Sequence, residues 1–311
     1  MTLELEGIAG AEQSGLRLDA ALVALFPFFG LRARRRLWKD HQVLVDGLAR
    51  APAFRLRGGE TIRLAPLCPA NAASDPLAEF AHDPPRLLER RGDFFFLYKP
   101  GGLHVESLAG APTRSLAAVL ERITPDVNGM RPILLSRLDL ETSGIVPAAG
   151  DEDAARQWRR WENAGGVGKG YLAVLEGGLA DETLARNALD TARKSRTRVL
   201  EADGPVLRHT RISPLAGFQA GEAPELMSGH PDGARFTLAL CRIAKGARHQ
   251  IRAHAAHIGH PLAGDALYGS SCGASFFLHH FRIQWSEGQV SCLPPWFASL
   301  PDHFAGLPVF G

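Results

Sequence analysis

The stretch SRLDLETSG, Ser136–Gly144, sets one aspartate, Asp139, two residues after Arg137 and shortly before Thr142-Ser143-Gly144. Alone, Asp139 reads equally as a salt-bridged residue, a helix cap or a reactive carboxylate. The segments around it set the fold class. GIVPAAG (144–150) follows as a strand, and FFFLYKP (94–100), GYLAVLEG (170–177), TRVLEA (197–202) and RFTLALCRIA (235–244) read as further strands. Two helices are expected, at DEDAARQWRRWENAG (151–165), whose acids Asp151, Glu152 and Asp153 suit a positive helix N-terminus, and at RHQIRAHAAHIG (248–259). Strands dominate and do not alternate with helices. That pattern predicts an α+β fold around a mixed, largely antiparallel sheet and argues against a doubly wound parallel sheet.

The remaining sequence bounds the alternatives. The chain has 311 residues, 45% hydrophobic and 22% charged, which suits a soluble globular protein with one large and one small domain. No apolar run reaches the roughly 18 residues of a membrane span. Acidic Glu4 and Glu6 at the start, and four widely spaced cysteines, lead to the expectation of a cytoplasmic protein with reduced thiols. A net charge of +2 conceals an asymmetry: ten Lys/Arg against four acids between Arg17 and Arg63 give that segment +6 and leave −4 for the rest. A basic unit on a near-neutral body points to a polyanion-binding appendage.

That appendage reads as two helices, LRLDAALVALFP and LRARRRLWKDHQ, followed by three short strands in VLVDG and FRLRGGETIRL. Its features RLDAAL, RARRRLWK, VLVDGLAR and LRGGETIRL resemble the alpha-L RNA-binding domain of a small-subunit ribosomal protein and several RNA-modifying enzymes. Arg32, Arg34, Arg35, Arg36 and Lys39 outnumber the local acids and are the expected RNA contacts. The domain plan is therefore 1–64 as an ααβββ RNA-binding domain, 65–86 as a Pro/Ala-rich linker and 87–311 as the catalytic body.

Four segments of the body resemble, in order and spacing, the RluA-type family of RNA pseudouridine synthases: DFFFLYKPGGLHVE, LLSRLDLETSGIV, KGYLAVLEGG and AKGARHQIRAHAAHIGHPLAGDALYG. The resemblance covers about residues 90 to 285, and with the N-terminal unit the layout is similar to members that modify large-subunit ribosomal RNA. It implies a cofactor-free, metal-free isomerase that detaches uracil from ribose in folded RNA and rejoins it through carbon. It also implies site residues: Asp139 as the essential carboxylate, Tyr171 as the aromatic of the K-x-Y motif, and Arg252 and Arg137 as the arginines of HQIR and RLD. These types suit the chemistry. Breaking a glycosidic bond builds positive character on the sugar, which an ionised carboxylate can meet by attacking the sugar, attacking the base or taking a sugar proton. A guanidinium keeps that carboxylate ionised, and an aromatic ring holds an unstacked base. Lys99, Lys194 and Arg196 are expected to face RNA.

Three departures from the family pattern stand out: Ser136 where His is common, Pro147 within a strand, and Ala247-Arg248 with its arginine displaced by one place. His249, His254, His257 and His260 read as packing and hydrogen-bonding residues, since no Cys or carboxylate completes a metal set. The expected partner is RNA, ribosomal or transfer, bound by a monomer with no membrane involvement. The rival from another class is an RNA-binding assembly factor with dispensable isomerase activity.

Overall fold

The computed structural model describes residues 5–26, 41–50, 52–66, 77–107, 114–124, 131–193, 195–270 and 275–307. The chain divides into two compact units, 1–78 and 79–311.

In the first unit the strands β1 (Leu5–Ile8), β2 (His41–Val45), β3 (Leu48–Ala49) and β4 (Thr61–Pro66) form an antiparallel sheet in the order β1-β4-β2-β3. Helix α1 (Leu18–Leu25) lays Leu18, Ala21 and Leu22 on Val43, Val45, Ile62 and Leu64, as its helical apolar spacing requires. Asp46 and Gly47 both take positive φ in the β2–β3 turn, the backbone a two-residue hairpin demands. The expected ααβββ pattern differs in two respects. A first strand, β1, precedes the helix, and residues 54–57 form only an isolated bridge, Arg17 to Arg55, in place of a strand. The second expected helix, with Arg32, Arg34, Arg35, Arg36 and Lys39, lies outside the described residues.

The second unit contains β5 (Arg86–Arg91), β6 (Phe94–Lys99), α2 (Leu116–Ile123), β7 (Ile133–Leu134), β8 (Ser143–Ala149), α3 (Glu152–Asn163), β9 (Gly168–Glu176) and β10 (Thr183–Ala185). It continues with β11 (Asn187–Asp190), β12 (Arg198–Asp203), β13 (Thr210–Gln219), β14 (Arg235–Ile243), α4 (Gln250–His257), β15 (Leu278–Trp285) and β16 (Gly288–Ser291). Among the described residues the main sheet runs β10-β13-β14-β9-β15-β8-β6-β5, with β16 on β15 and β7 on β8, and β11–β12 forms a separate hairpin. Every pairing is antiparallel except β8 with β15. The fold is α+β on a mixed, largely antiparallel sheet. Ion pairing of Glu79 with Arg114 and hydrogen bonding of Tyr98 to Asp83 attach these residues, from the end of the stretch read as linker, to this unit.

Alternation along β9 gives each face its cover. Tyr171, Ala173 and Leu175 pack with Ile251 and Ala255 of α4, while Val174 faces Phe218, Phe277, Leu300 and Phe304. Helix α3 starts where expected, Asp151 accepting a hydrogen bond from the Ala154 N–H at 2.8 Å, and buries Trp158 against Phe94, Phe96 and Trp285. Pro147 sits within β8 without breaking it. Its carbonyl accepts from the Leu135 N–H at 2.9 Å, so the donor it lacks is on that flank, away from the β6 ladder.

Gly144 opens β8 at φ +116, and a Cβ there would lie 2.3 Å from the His280 carbonyl oxygen. Gly144→Ala is expected to destabilise the fold by roughly 3 kcal/mol or more. Gly217→Ala, whose Cβ would meet nothing nearer than 3.8 Å, serves as the mild control. Chemical denaturation compares them; equal midpoints would refute the close-approach argument.

Candidate active site

A cleft of about 860 Å³ opens over the face of the sheet that carries Tyr171, bounded by the β7–β8 loop and the N-terminal end of α4. It collects Arg137, Asp139, Tyr171 and Arg252, which lie far apart in sequence. Asp139 projects from the β7–β8 loop, and that loop is held from beneath. Lys99, at the end of β6, is fully buried, and its Nζ donates to the carbonyls of Pro100, Leu103 and Leu140 at 2.9, 2.8 and 3.1 Å. The Gly102 N–H donates to the Leu140 carbonyl at 2.8 Å, so the Lys-Pro-Gly-Gly turn clamps the residue next to Asp139. Lys99, read from sequence as an RNA contact, is therefore enclosed and spends its donors on the protein. Burial pushes its pKa down to about 7, opposed by the charges of Asp139 and Glu141.

Arg252 projects from α4, 5% exposed. The expected two-pronged bond to Asp139 is made instead to Asp265: Nε donates to Oδ2 at 2.7 Å and Nη2 to Oδ1 at 2.8 Å. The remaining Nη1 faces the cleft, 3.6 Å from Asp139 Oδ2 and 3.6 Å from Glu141 Oε2. Phe276 and Tyr268 flank the guanidinium at 5.0 and 5.4 Å. Asp265 is held by the segment after α4, which continues the ladder beside β9: Glu176 N–H donates to Pro261 at 2.8 Å and Ala263 N–H to Val174 at 2.9 Å. Next to it Gly264 runs at φ +78 where a Cβ would collide with the Ser275 carbonyl. Asp265 was missed from sequence, although the AGD of the same motif carries it.

Tyr171 stacks on His280 at 4.5 Å and 15°. Burial holds His280 neutral, its pKa lowered to about 3, so the backing is a flat uncharged ring. Burial, then the charge of Asp139, pushes the Tyr171 hydroxyl well above its ordinary value, so it stays a neutral phenol. Arg137 is exposed, 3.7 Å from Glu106 at the rim. Arg196, in the loop that connects β11 to β12, lies over Tyr268 at 5.1 Å; Lys194 lies outside the described residues. The displaced Arg248 braces that loop, donating to the carbonyls of Thr191 and Arg193 at 3.3 and 3.0 Å. His254 is buried, with its ring nitrogens 2.8 Å from Thr210 Oγ1 and 3.0 Å from the Asn187 carbonyl.

Comparison with known proteins gives the family of the chain. Residues 93–257 match the family model described as RNA pseudouridylate synthase. A ribosomal large subunit pseudouridine synthase D of Haemophilus influenzae is 28% identical over 320 residues, 95% of this chain and 91% of that one. The protein of that name from Xanthomonas campestris pv. campestris is 30% identical over 262 residues, 83% of this chain and 72% of that one. The human RNA pseudouridylate synthase domain containing 1 structure aligns at TM-score 0.53 and 21% identity, over 73% of this chain and 86% of that one, and shares the fold. The chain belongs to the RNA pseudouridylate synthase family and is an enzyme of that class. Among the described residues no helix is long and apolar enough to cross a membrane.

Two expectations follow. Asp265→Ala leaves a buried guanidinium without its main partner and should cost about 3–5 kcal/mol of stability, measured by denaturation; a loss below about 1 kcal/mol would contradict the pairing. For Lys99 the folded pKa lies below the unfolded value of 10.5, so the unfolded chain binds more protons between about pH 7 and 10.5. The stability difference between wild type and Lys99→Met should therefore shift in favour of wild type as pH rises through that window. A flat difference would contradict it.

Proposed function

We propose that this enzyme converts uridine to pseudouridine in structured RNA, large-subunit ribosomal RNA foremost, with Asp139 as the reacting carboxylate and no cofactor. The observation that carries the reading is the convergence of Asp139, Tyr171 and Arg252 Nη1 in one cleft of a size that admits an unstacked nucleotide. The relatives' names supply the RNA class: they are called ribosomal large subunit pseudouridine synthases over nearly the full length of this chain.

In this reading uracil leaves its stack and lies on the Tyr171 ring, which His280 backs. Asp139 lies 3.6 Å from a guanidinium held elsewhere, close enough to feel its charge without being consumed by a full salt bridge. It acts at the sugar or the base as the glycosidic bond opens, by one of the three routes open to a carboxylate. Tyr171, as a neutral phenol, can accept the C5 proton at the end only by passing its own proton on. Exposed Arg137 at the rim is available to phosphate or to the gap the flipped base leaves. Arg32, Arg34, Arg35, Arg36 and Lys39 of the basic N-terminal segment, with Lys194 and Arg196, supply further RNA contacts.

Purified protein incubated with an unmodified large-subunit ribosomal RNA transcript, with pseudouridine mapped, should convert one or a few uridines. Asp139→Asn should lose about 10⁴-fold or more in rate while binding RNA equally well. Conversion by neither protein, with binding intact, would favour an RNA-binding assembly factor. Replacing Arg34, Arg35 and Arg36 together by Ala should shallow the log–log salt dependence of RNA affinity by about 2 to 3. An unchanged slope would remove these residues from the interface.

A further inference from the structure

We infer that His249 is a specificity-determining residue, its Nε2 accepting a hydrogen bond from the ribose 2′-hydroxyl of the target nucleotide. The inference rests on the reading that a uridine occupies the cleft.

His249 is the N-cap of α4 and sits at φ +51, in the left-handed region that few non-glycine residues occupy and that His, like Asn and Asp, tolerates better than most. This backbone turns its ring into the cleft, where Nε2 lies 3.9 Å from Asp139 Oδ1. The hydrogen bonds at Tyr268 assign the tautomer. The Tyr268 hydroxyl has one proton, donated to the Thr197 carbonyl at 3.1 Å, and it accepts the Thr197 N–H at 2.8 Å. Its remaining lone pair faces His249 Nδ1 at 3.2 Å, so Nδ1 carries the hydrogen. Burial, though opposed by Asp139, holds the ring below its ordinary pKa, so Nε2 is unprotonated at neutral pH.

An acceptor thus faces the carboxylate across a gap too wide for a direct hydrogen bond. Two acceptors side by side call for a ligand that offers electrophilic character to one and a donor to the other. Ribose does both on adjacent carbons. With C1′ or the C2′ hydrogen against Asp139 at a reactive distance of about 3–3.5 Å, the 2′ oxygen falls toward His249. Its hydroxyl is the donor Nε2 lacks, and it is the group that separates RNA from DNA. Tyr268 also joins this acceptor to the loop that connects β11 to β12 through Thr197, which keeps the ring in place.

The test uses full-length enzyme and an RNA fragment carrying the mapped uridine as either ribouridine or 2′-deoxyuridine. His249→Asn suits the left-handed backbone and places its amide near Nδ1, keeping the Tyr268 bond while deleting the Nε2 acceptor. His249→Gln places an amide near Nε2. Intrinsic reactivity differences between the two sugars are common to all three enzymes and cancel in the ratio of rates. The ribo-to-deoxy rate ratio should be about tenfold smaller for His249→Asn than for wild type, and should be retained by His249→Gln. Equal ratios in wild type and His249→Asn would overturn the inference alone. No conversion of the all-ribose fragment by wild type would overturn the reading beneath it, and the inference with it.

Discussion

A buried guanidinium organises this site. Arg252 is enclosed between Phe276 and Tyr268, and a charge in that position persists only if its hydrogen-bonding capacity is met. Asp265 meets it with two parallel bonds that occupy Nε and Nη2. Only Nη1 is left toward the cleft, and it stands between Asp139 and Glu141. The division has a chemical consequence. A carboxylate locked in a two-pronged pair is a poor nucleophile and a poor base; one that merely feels a fixed positive charge keeps its lone pairs available.

Much of the surrounding structure serves to hold the two sides of that gap. On one side, Gly264 brings the backbone close to Ser275 and sets Asp265 beneath α4. On the other, Lys99 and the Gly102 N–H grip the carbonyl of Leu140, next to Asp139. Gly144 then lets β8 run against β15, so the loop begins from a rigid strand. Tyr171 has the same kind of support: it is fixed by a neutral His280 from the neighbouring strand. The residues that line the cleft thus come from the main sheet, several loops and one helix of the second unit.

Local signals were legible in the sequence where they act locally. Asp151 before an alternating charged and apolar run marks the start of α3, and the runs of Phe, Leu and Val mark the central strands. The motif order brought Asp139, Tyr171 and Arg252 together as candidates, and the structure places them in one cleft. What was not legible depends on contacts distant in sequence. Lys99 reads as a cation available to phosphate until the turn folds over it. Arg252 reads as the direct partner of Asp139 until Asp265, thirteen residues later, comes within 2.7 Å. Pro147 reads only as a departure from the family pattern within a strand, and the structure shows why it is tolerated: its missing donor lies on the flank away from the β6 ladder. His249 looks like a packing residue, and only its left-handed backbone and the proton count at Tyr268 mark it out. The strand Leu5–Ile8 carries too little pattern to be recognised without β4 beside it.

In the proposed reaction Asp265 acts only by holding Arg252. Single-turnover rates of ribosomal RNA conversion for wild type, Asp265→Asn, Arg252→Gln and the double variant test this, because a double-mutant cycle separates a shared path from two independent ones. The double variant should be no slower than Arg252→Gln alone. Losses that multiply, with the double variant slower than Arg252→Gln by the full factor of Asp265→Asn, would contradict it.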